Sequence, residues 1–497
     1  MDPNPVLPLL PVLAPIAGMV ASLLAVRWWR VQALVALAAT AFGTLAALVL
    51  LSRVWSVGAA MVYQSGGWPA PYGISLVADP LAAFLVLMSQ TVMLAGAVYA
   101  VGSTERCVRD PIFLPLFLAL AAGLCGAFLT GDLFTLFVFS ELVVMAGTVL
   151  TSLSDDGNGP EAALKYFYLS LMASTFLLLA CGMLYVAHGT LNMADLGRRL
   201  AASPGEPLAG LALPLLFASF MIKSAVVPFH FWQPDFHTVS PTAVSAMLSS
   251  VVVKLGVYGF LRLLTLLYVA DAPTLQALLL VLGLAGMVYG GLAAIGTHNA
   301  KRVLAYSTLA QIGVILAAIG WGSQPALAAA LVFTFNHSLI KAALLMLAGA
   351  LASRAGVKSA DFTHLTGVGR GVPVAGALFL AGGLALAGVP PTAGFVSKLL
   401  VLQSGFQAGR LVSASAIGLL GALTLVYVTH AYRRLFWVPL PAGATAKPRG
   451  DRLLAPALLV VLVLAIGAWP AALVDVALLA ARWLADPQAY VTAVLGG

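Results

Sequence analysis

The stretch MIKSAVVPFHFWQPDFHTVSPTAVSAMLSSVVVKLGVY, residues 221–258, constrains this chain more than any other. An apolar segment of membrane length carries Lys223 and is interrupted at Pro228. His230 and His237 follow, and a second apolar segment carries Lys254. On insertion scales a charge at the centre of a bilayer costs about 2.5–3.5 kcal/mol, so such groups face a wet or protein-lined interior and mark ion paths. Lysines can also snorkel from helix ends to headgroups. Here each lysine has a long apolar run on at least one side, and further ionisable groups follow in later apolar segments, so the interior placement is expected. Broken backbone at membrane depth adds the same constraint, because it is tolerated only where protein or water satisfies it.

Of the 497 residues, 61% are hydrophobic and 8% charged, against about 25% charged in soluble domains. The chain is therefore expected to be an all-α polytopic membrane protein, and its length allows about 13–15 helices. Apolar runs place fourteen spans at 5–26, 31–52, 78–101, 111–130, 133–152, 163–187, 208–228, 241–268, 274–296, 302–320, 325–352, 373–404, 411–432 and 453–473. The twelfth is interrupted near 389. The first stretch lacks the basic n-region of a cleavable signal and runs straight into a full span. Residues 474–494 mix charges and apolar residues at helical spacing and read as an interfacial amphipathic helix. The uncharged Gly/Pro/aromatic loop at 55–77 reads as a turn or short hairpin, and VPLPAGATAKPRGD at 438–451 as the most linker-like segment.

The net charge of +8 does not indicate nucleic acid. With alternating spans and the loop after the first span in the cytoplasm, 15 of the 25 Lys and Arg fall on the cytoplasmic side, 5 on the other and 5 within spans. This positive-inside pattern places both termini outside the cytoplasm of a bacterial-type inner membrane. No P-loop or dinucleotide fingerprint is present, so no cofactor is expected. Cys107, Cys125 and Cys181 have no ligand spacing, and no metal site is expected.

Glu141 lies mid-span in GDLFTLFVFSELVVMAGTVL, and its natural partner is Lys223 two spans on. Burial disfavours the charged form of a lysine and a nearby carboxylate favours it, so relative movement of the two would switch the lysine between holding and releasing a proton. A purely structural ion pair is the alternative. In HNAKRVLAYSTLAQIG, Ser307 and Gln311 share a helix face, suited either to ordered water or to helix–helix hydrogen bonds. In LVFTFNHSLIKAALLMLAGAL, His337 and Lys341 are likewise four apart, and a histidine titrating near neutrality suits a relay. Pro390 and Pro391 in GVPPTAGF must break span twelve, and Lys398 follows seven residues later. Two broken helices, in spans seven and twelve, each with a lysine and five spans apart, point to inverted repeats. The repeats would be spans 4–8 (111–268) and 9–13 (269–437), preceded by helices 1–3 (1–110) and followed by a linker, last span and amphipathic helix (438–497).

At FVFSELVVMAG, KYFYLSLMAS, the Lys223–Pro228 segment, SPTAVSAMLSSVVVKLGVYGFLRL, KRVLAYSTLAQIG, FNHSLIKAALLML and GVPPTAGFVSKLL the chain resembles the antiporter-like subunits shared by respiratory complex I and Mrp-type multisubunit cation/proton antiporters. HGTLNMADL at 188–196 is similar to the D-type subunits of Mrp antiporters, EAALKYF at 161–167 is similar to one complex I subunit, and the lysine at 398 fits the D-type subunits and some complex I subunits alike. The resemblance implies a lateral series of protonatable residues. Glu141 and Lys223 would be the charge pair, Lys254 the central relay, His337 its continuation and Lys398 the terminal group. Lys341 and His230 would be second members, with Asp235 and His237 ranked lower. It also implies other membrane subunits as partners, with H+ and Na+ as substrates. The competing reading is a proton-pumping subunit of NADH:quinone oxidoreductase or a membrane hydrogenase.

Overall fold

The computed structural model describes residues 6–441 and 446–496. The first residue of the expected span 5–26, residues 442–445 of the expected linker and the chain's extreme ends lie outside the described residues. Among the described residues the regular structure is helical apart from one antiparallel hairpin, Met61–Gln64 paired with Ser75–Ala78, in the loop where the sequence places a turn or hairpin.

Among the described residues ten helices are long and apolar enough to cross a membrane, and twelve spans result if each of two bent pairs counts as one. The first bent pair is Phe362–Gly371 with Pro373–Ala387, at 113°, and the second is Leu454–Ala468 with Ala471–Ala485, at 80°. Two shorter apolar helices, Phe113–Leu129 and Pro207–Lys223, lie outside that count. Large apolar side chains such as Leu24, Val186, Val412 and Leu419 are exposed on the outer helices. Apolar surface on this scale suits hydrocarbon, since helices that satisfy their own backbone can present it to lipid at no cost.

The layering follows from the sequence. In a bilayer the most apolar helices can face lipid, and the helices with ionisable and polar side chains are the ones that must be enclosed. Thr242–Leu267 and Gln324–Ala355 are wholly enclosed over their most apolar windows and Ala300–Gly320 is 94% so, whereas Leu411–Trp437 is 28% buried. The enclosed helices are those that carry Lys254, His337, Lys341, Ser307 and Gln311.

Both expected breaks are present. Pro207–Lys223 ends at the lysine, and helix resumes only at Trp232–Val239. Pro373–Ala387 stops before the two prolines, and Ala393–Gln407 restarts after them. Gly388, at φ +80°, ends the first half in the left-handed conformation that favours glycine. Gly394 lets the restarting helix lie against the Ala385 carbonyl, where a Cβ would overlap that oxygen. Gly394→Val is therefore expected to destabilise the protein by about 1–3 kcal/mol, the usual cost of overpacking, read as a lower melting temperature of the detergent-extracted protein.

The tail differs in detail from its expected single helix. Ala471–Ala485 turns by 80° from the last apolar helix, and a second helix, Pro487–Leu495, follows. Asp486 divides them, its carboxylate accepting from the Gln488 N–H at 3.1 Å, with Pro487 at the first helical position. The linker is also anchored. Asp451 is fully buried and accepts from the Tyr99 hydroxyl at 2.6 Å and from Thr104 N and Oγ1 at 2.8 and 2.7 Å.

Candidate functional site

Lys223 is the last residue of its half-helix, where the four terminal carbonyls lack helical partners and a cation is favoured. It is buried, and its Nζ donates to Ser174 Oγ at 3.3 Å. The chain then turns through Ala225, at φ +53°, with Val226 N reaching back to the Met221 carbonyl at 2.9 Å. Glu141 and Lys223 do not touch: among the described residues neither takes part in an ion pair. Among the same residues the buried Glu141 Oε1 has no hydrogen-bond partner. Lys223 lines a small cavity with Ser140, Tyr166, Ser170 and Trp232. The ion pair that the sequence suggests is not formed among the described residues.

Lys254 is fully buried, on a helix that widens into a π turn at Leu248–Val252 just before it. Its Nζ lies 2.8 Å from His337 Nδ1 and donates to the Ser249 carbonyl at 3.3 Å. When Lys254 is an ammonium it can only donate, and His337 Nδ1 is then the acceptor with the ring proton on Nε2; with a neutral amine the roles can reverse. With both groups charged the contact would be repulsive. The contact links two titratable groups directly at the centre of the molecule. His337 Nε2 has no partner among the described residues, and its ring lines a small cavity with Gln311, Asn336, Ser397 and Lys398.

His337 and Lys341 share a helix, yet they face different neighbours. The Lys341 Nζ donates to the Leu304 carbonyl at 2.6 Å and to Ser307 Oγ at 2.7 Å. Lys398 closes the far side of the His337 cavity. Its Nζ donates to the Ala387 carbonyl at 2.8 Å, at the end of the first half-helix, and to the Gly421 carbonyl at 3.4 Å. A second cavity of about 160 Å³ opens on its other flank, lined by Val314, Leu402, Ile417 and Gly418. Lys398 thus stands between two spaces.

The lower-ranked residues separate. His237 is fully buried with Nδ1 3.1 Å from Ser245 Oγ, and its Nε2 is unpartnered among the described residues. His230 packs edge-on against the Tyr289 ring at 4.3 Å between centroids. Asp235 is half-exposed and ion-paired with Arg302 and, at 3.4 Å, with Lys165. It belongs to a surface charge cluster and is not brought to the central groups. Pro228, Pro390 and Pro391 lie in the two breaks.

Two features leave no trace in the local sequence pattern. Asp79 and Arg262, 183 positions apart, form a buried bidentate pair at 2.8 and 2.8 Å, with the guanidinium between the Tyr258 and Tyr490 rings. The Asp79-Pro80 dipeptide signals a helix start, which Asp79 caps, but nothing local names its partner. The second is Tyr427, on the Leu411–Tyr432 helix, whose hydroxyl donates to Ser307 Oγ at 2.9 Å.

This arrangement defines a class: a multi-pass membrane protein with lysines and a histidine enclosed between its innermost helices, beside two broken ones. Residues 130–424, more than half of the chain, match the family described as NADH:quinone oxidoreductase/Mrp antiporter, TM. The chain is 31% identical to the D subunit of the Na(+)/H(+) antiporter of Bacillus subtilis over 496 residues, covering 98% of this chain and 99% of that one. It is 35% identical to the N subunit of the NADH-quinone oxidoreductase of Desulforudis audaxviator over 448 residues, covering 87% of each. A chain in the structure of the Mrp complex from Dietzia sp. DQ12-45-1b superposes with a TM-score of 0.91 over 100% of both chains, at 28% identity. The chain belongs to the NADH:quinone oxidoreductase/Mrp antiporter membrane-subunit family.

Proposed function

We propose that this chain is the proton-translocating membrane subunit of a multisubunit monovalent cation (Na+)/proton antiporter, a secondary transporter rather than an enzyme. The observation that carries the reading is the 2.8 Å contact of Lys254 with His337 at the enclosed centre of the molecule, with a cavity leading on to Lys398. Similarity over nearly the full length to the D subunit of an Na(+)/H(+) antiporter supports the same assembly class.

In this mechanism Glu141 sets the charge on Lys223 across the cavity beside it. A shift of the broken helix that brings the two together holds the proton on Lys223, and a shift apart releases it towards the centre. Lys254 receives the charge and shares it with His337. His337 passes it across the cavity to Lys398, whose second cavity leads outward. Lys341, His230 and His237 serve as secondary stations, and Asp235 acts from the surface. The chain is read as fourteen spans with both termini outside the cytoplasm, the seventh broken after Pro207–Lys223 and the twelfth made of Pro373–Ala387 and Ala393–Gln407. Spans 4–8 (111–268) and 9–13 (269–437) form two inverted repeats, each with its break between half-helices. The chain works with other membrane subunits, and H+ and Na+ are the substrates.

A second reading, a proton-pumping subunit of NADH:quinone oxidoreductase or a related hydrogenase, draws support from the 35% identity to the N subunit of such an oxidoreductase. The test is cation-dependent proton movement in inverted vesicles, with the chain co-expressed with its neighbouring genes in a host lacking antiporters. Dequenching of a pH dye on adding Na+ is expected. No response to any cation, with proton pumping on adding NADH, would favour the second reading.

A further inference from the structure

Lys341 is not on the direct line from Lys254 through His337 to Lys398. It is nevertheless fully buried, with no carboxylate paired to it among the described residues, a placement that asks for a function. Its neighbours lead somewhere. Ser307 Oγ takes the Lys341 N–H at 2.7 Å and the Tyr427 O–H at 2.9 Å. The Gln311 amide nitrogen lies 3.5 Å from the Tyr427 oxygen and 3.2 Å from Thr424 Oγ1. Among the described residues Gln311 Oε1, Asn336 Oδ1 and His337 Nε2 are all buried without partners, and these three side chains line the same cavity as Lys398. Unpaired buried polar atoms gathered on one space are the signature of a hydrated site.

We propose that Tyr427 is a proton-relay residue that joins Lys341, through Ser307, to the cavity shared by His337 and Lys398. Lys341 is then a side station charged from that cavity. In the charging step a proton from the Lys398 ammonium crosses the cavity and passes by way of water, beside Gln311, to the Tyr427 oxygen, which lies behind the cavity wall 3.5 Å from the Gln311 amide nitrogen. The Tyr427 hydroxyl proton passes to Ser307 Oγ, and the Ser307 proton passes to the lone pair of neutral Lys341. One N–H bond breaks at Lys398 and one forms at Lys341, and both hydroxyls are left as they began. The reverse sequence discharges it. The Leu411–Tyr432 helix, which carries none of the lysines on the path, thereby contributes directly to proton movement.

The inference rests on the proposed transport function, and the experiment separates the two. Tyr427→Phe keeps the ring and removes the hydroxyl, and Ser307→Ala cuts the same link from another helix. Each is assayed in the assembled complex, in inverted vesicles, in H2O and D2O. Each is expected to lower the Na+-dependent proton rate about tenfold, the scale of one lost buried hydrogen bond, and to enlarge the solvent isotope effect, which a merely structural role would leave unchanged. The double variant is expected to be no slower than either single one, since both cut one link. A wild-type rate and isotope effect in either assembled variant would overturn the role of Tyr427 while wild-type transport stands. A wild-type complex that moves no protons would instead overturn the transport function itself.

Discussion

Lys254→Met is expected to abolish proton movement by the assembled complex while leaving assembly intact. Methionine fills nearly the same volume, and cores tolerate such apolar replacements at small cost. Among the described residues Lys254 makes two polar contacts, with His337 Nδ1 at 2.8 Å and the Ser249 carbonyl at 3.3 Å. Losing them leaves a neutral imidazole that can turn to the cavity at its Nε2, so the folding cost stays modest. The functional cost is total. In the proposed path Lys254 brings the charge to His337, and without it the sides of Lys223 and Lys398 are disconnected. Subunit recovery by size exclusion in detergent and dye dequenching in vesicles read the two effects separately. Retained transport in the variant would remove Lys254 from the path.

Asp79→Ala is expected to have the opposite signature, with little folded protein recovered. The Arg262 and Asp79 side chains are 4% and 2% exposed, and the Arg262 Nε already lacks a partner among the described residues. Removing the carboxylate strands a guanidinium among Tyr258, Tyr490 and apolar side chains, and breaking a buried pair this way costs about 3–5 kcal/mol. The pair also fixes three parts of the chain to one another: the hairpin end and Pro80–Val101, the helix bearing Lys254, and the C-terminal helix Pro487–Leu495. The paired replacement Asp79→Leu with Arg262→Met removes both charges, and such substitutions are often neutral. It is therefore expected to restore recovery of the protein, measured as monodisperse complex in detergent. Failure of the double variant to restore it would mean that the charges do more than satisfy each other.

Much of the fold was legible because hydrocarbon imposes simple rules. Apolar runs of span length became helices, and prolines at 228, 390 and 391 marked the two breaks to within a few residues. Lys254, His337, Lys341 and Lys398 were legible one by one, since an ionisable residue in an apolar run is conspicuous. Their pairing was not. Helical spacing put His337 with Lys341, yet spacing fixes only a shared face, and the facing helices decide that His337 meets Lys254 and Lys341 meets Ser307. Asp235 sits beside the first break in sequence, but its short helix turns it to Arg302 and Lys165 at the surface. Tyr427 gave no signal, because a tyrosine in an apolar helix is ordinary and its partner lies 120 positions away. Arg262, in an apolar span, is conspicuous too, but its pairing with Asp79, 183 positions away, is hidden for the same reason.

Passage of protons through this chain by way of Lys223 can be read in one assay. Na+ is added to inverted vesicles that contain the complex assembled with either the wild-type chain or Lys223→Ala, in a host stripped of its own antiporters. Dye dequenching is expected with the wild type and none with Lys223→Ala, at equal amounts of intact complex. Normal dequenching with Lys223→Ala would contradict a proton path through this residue.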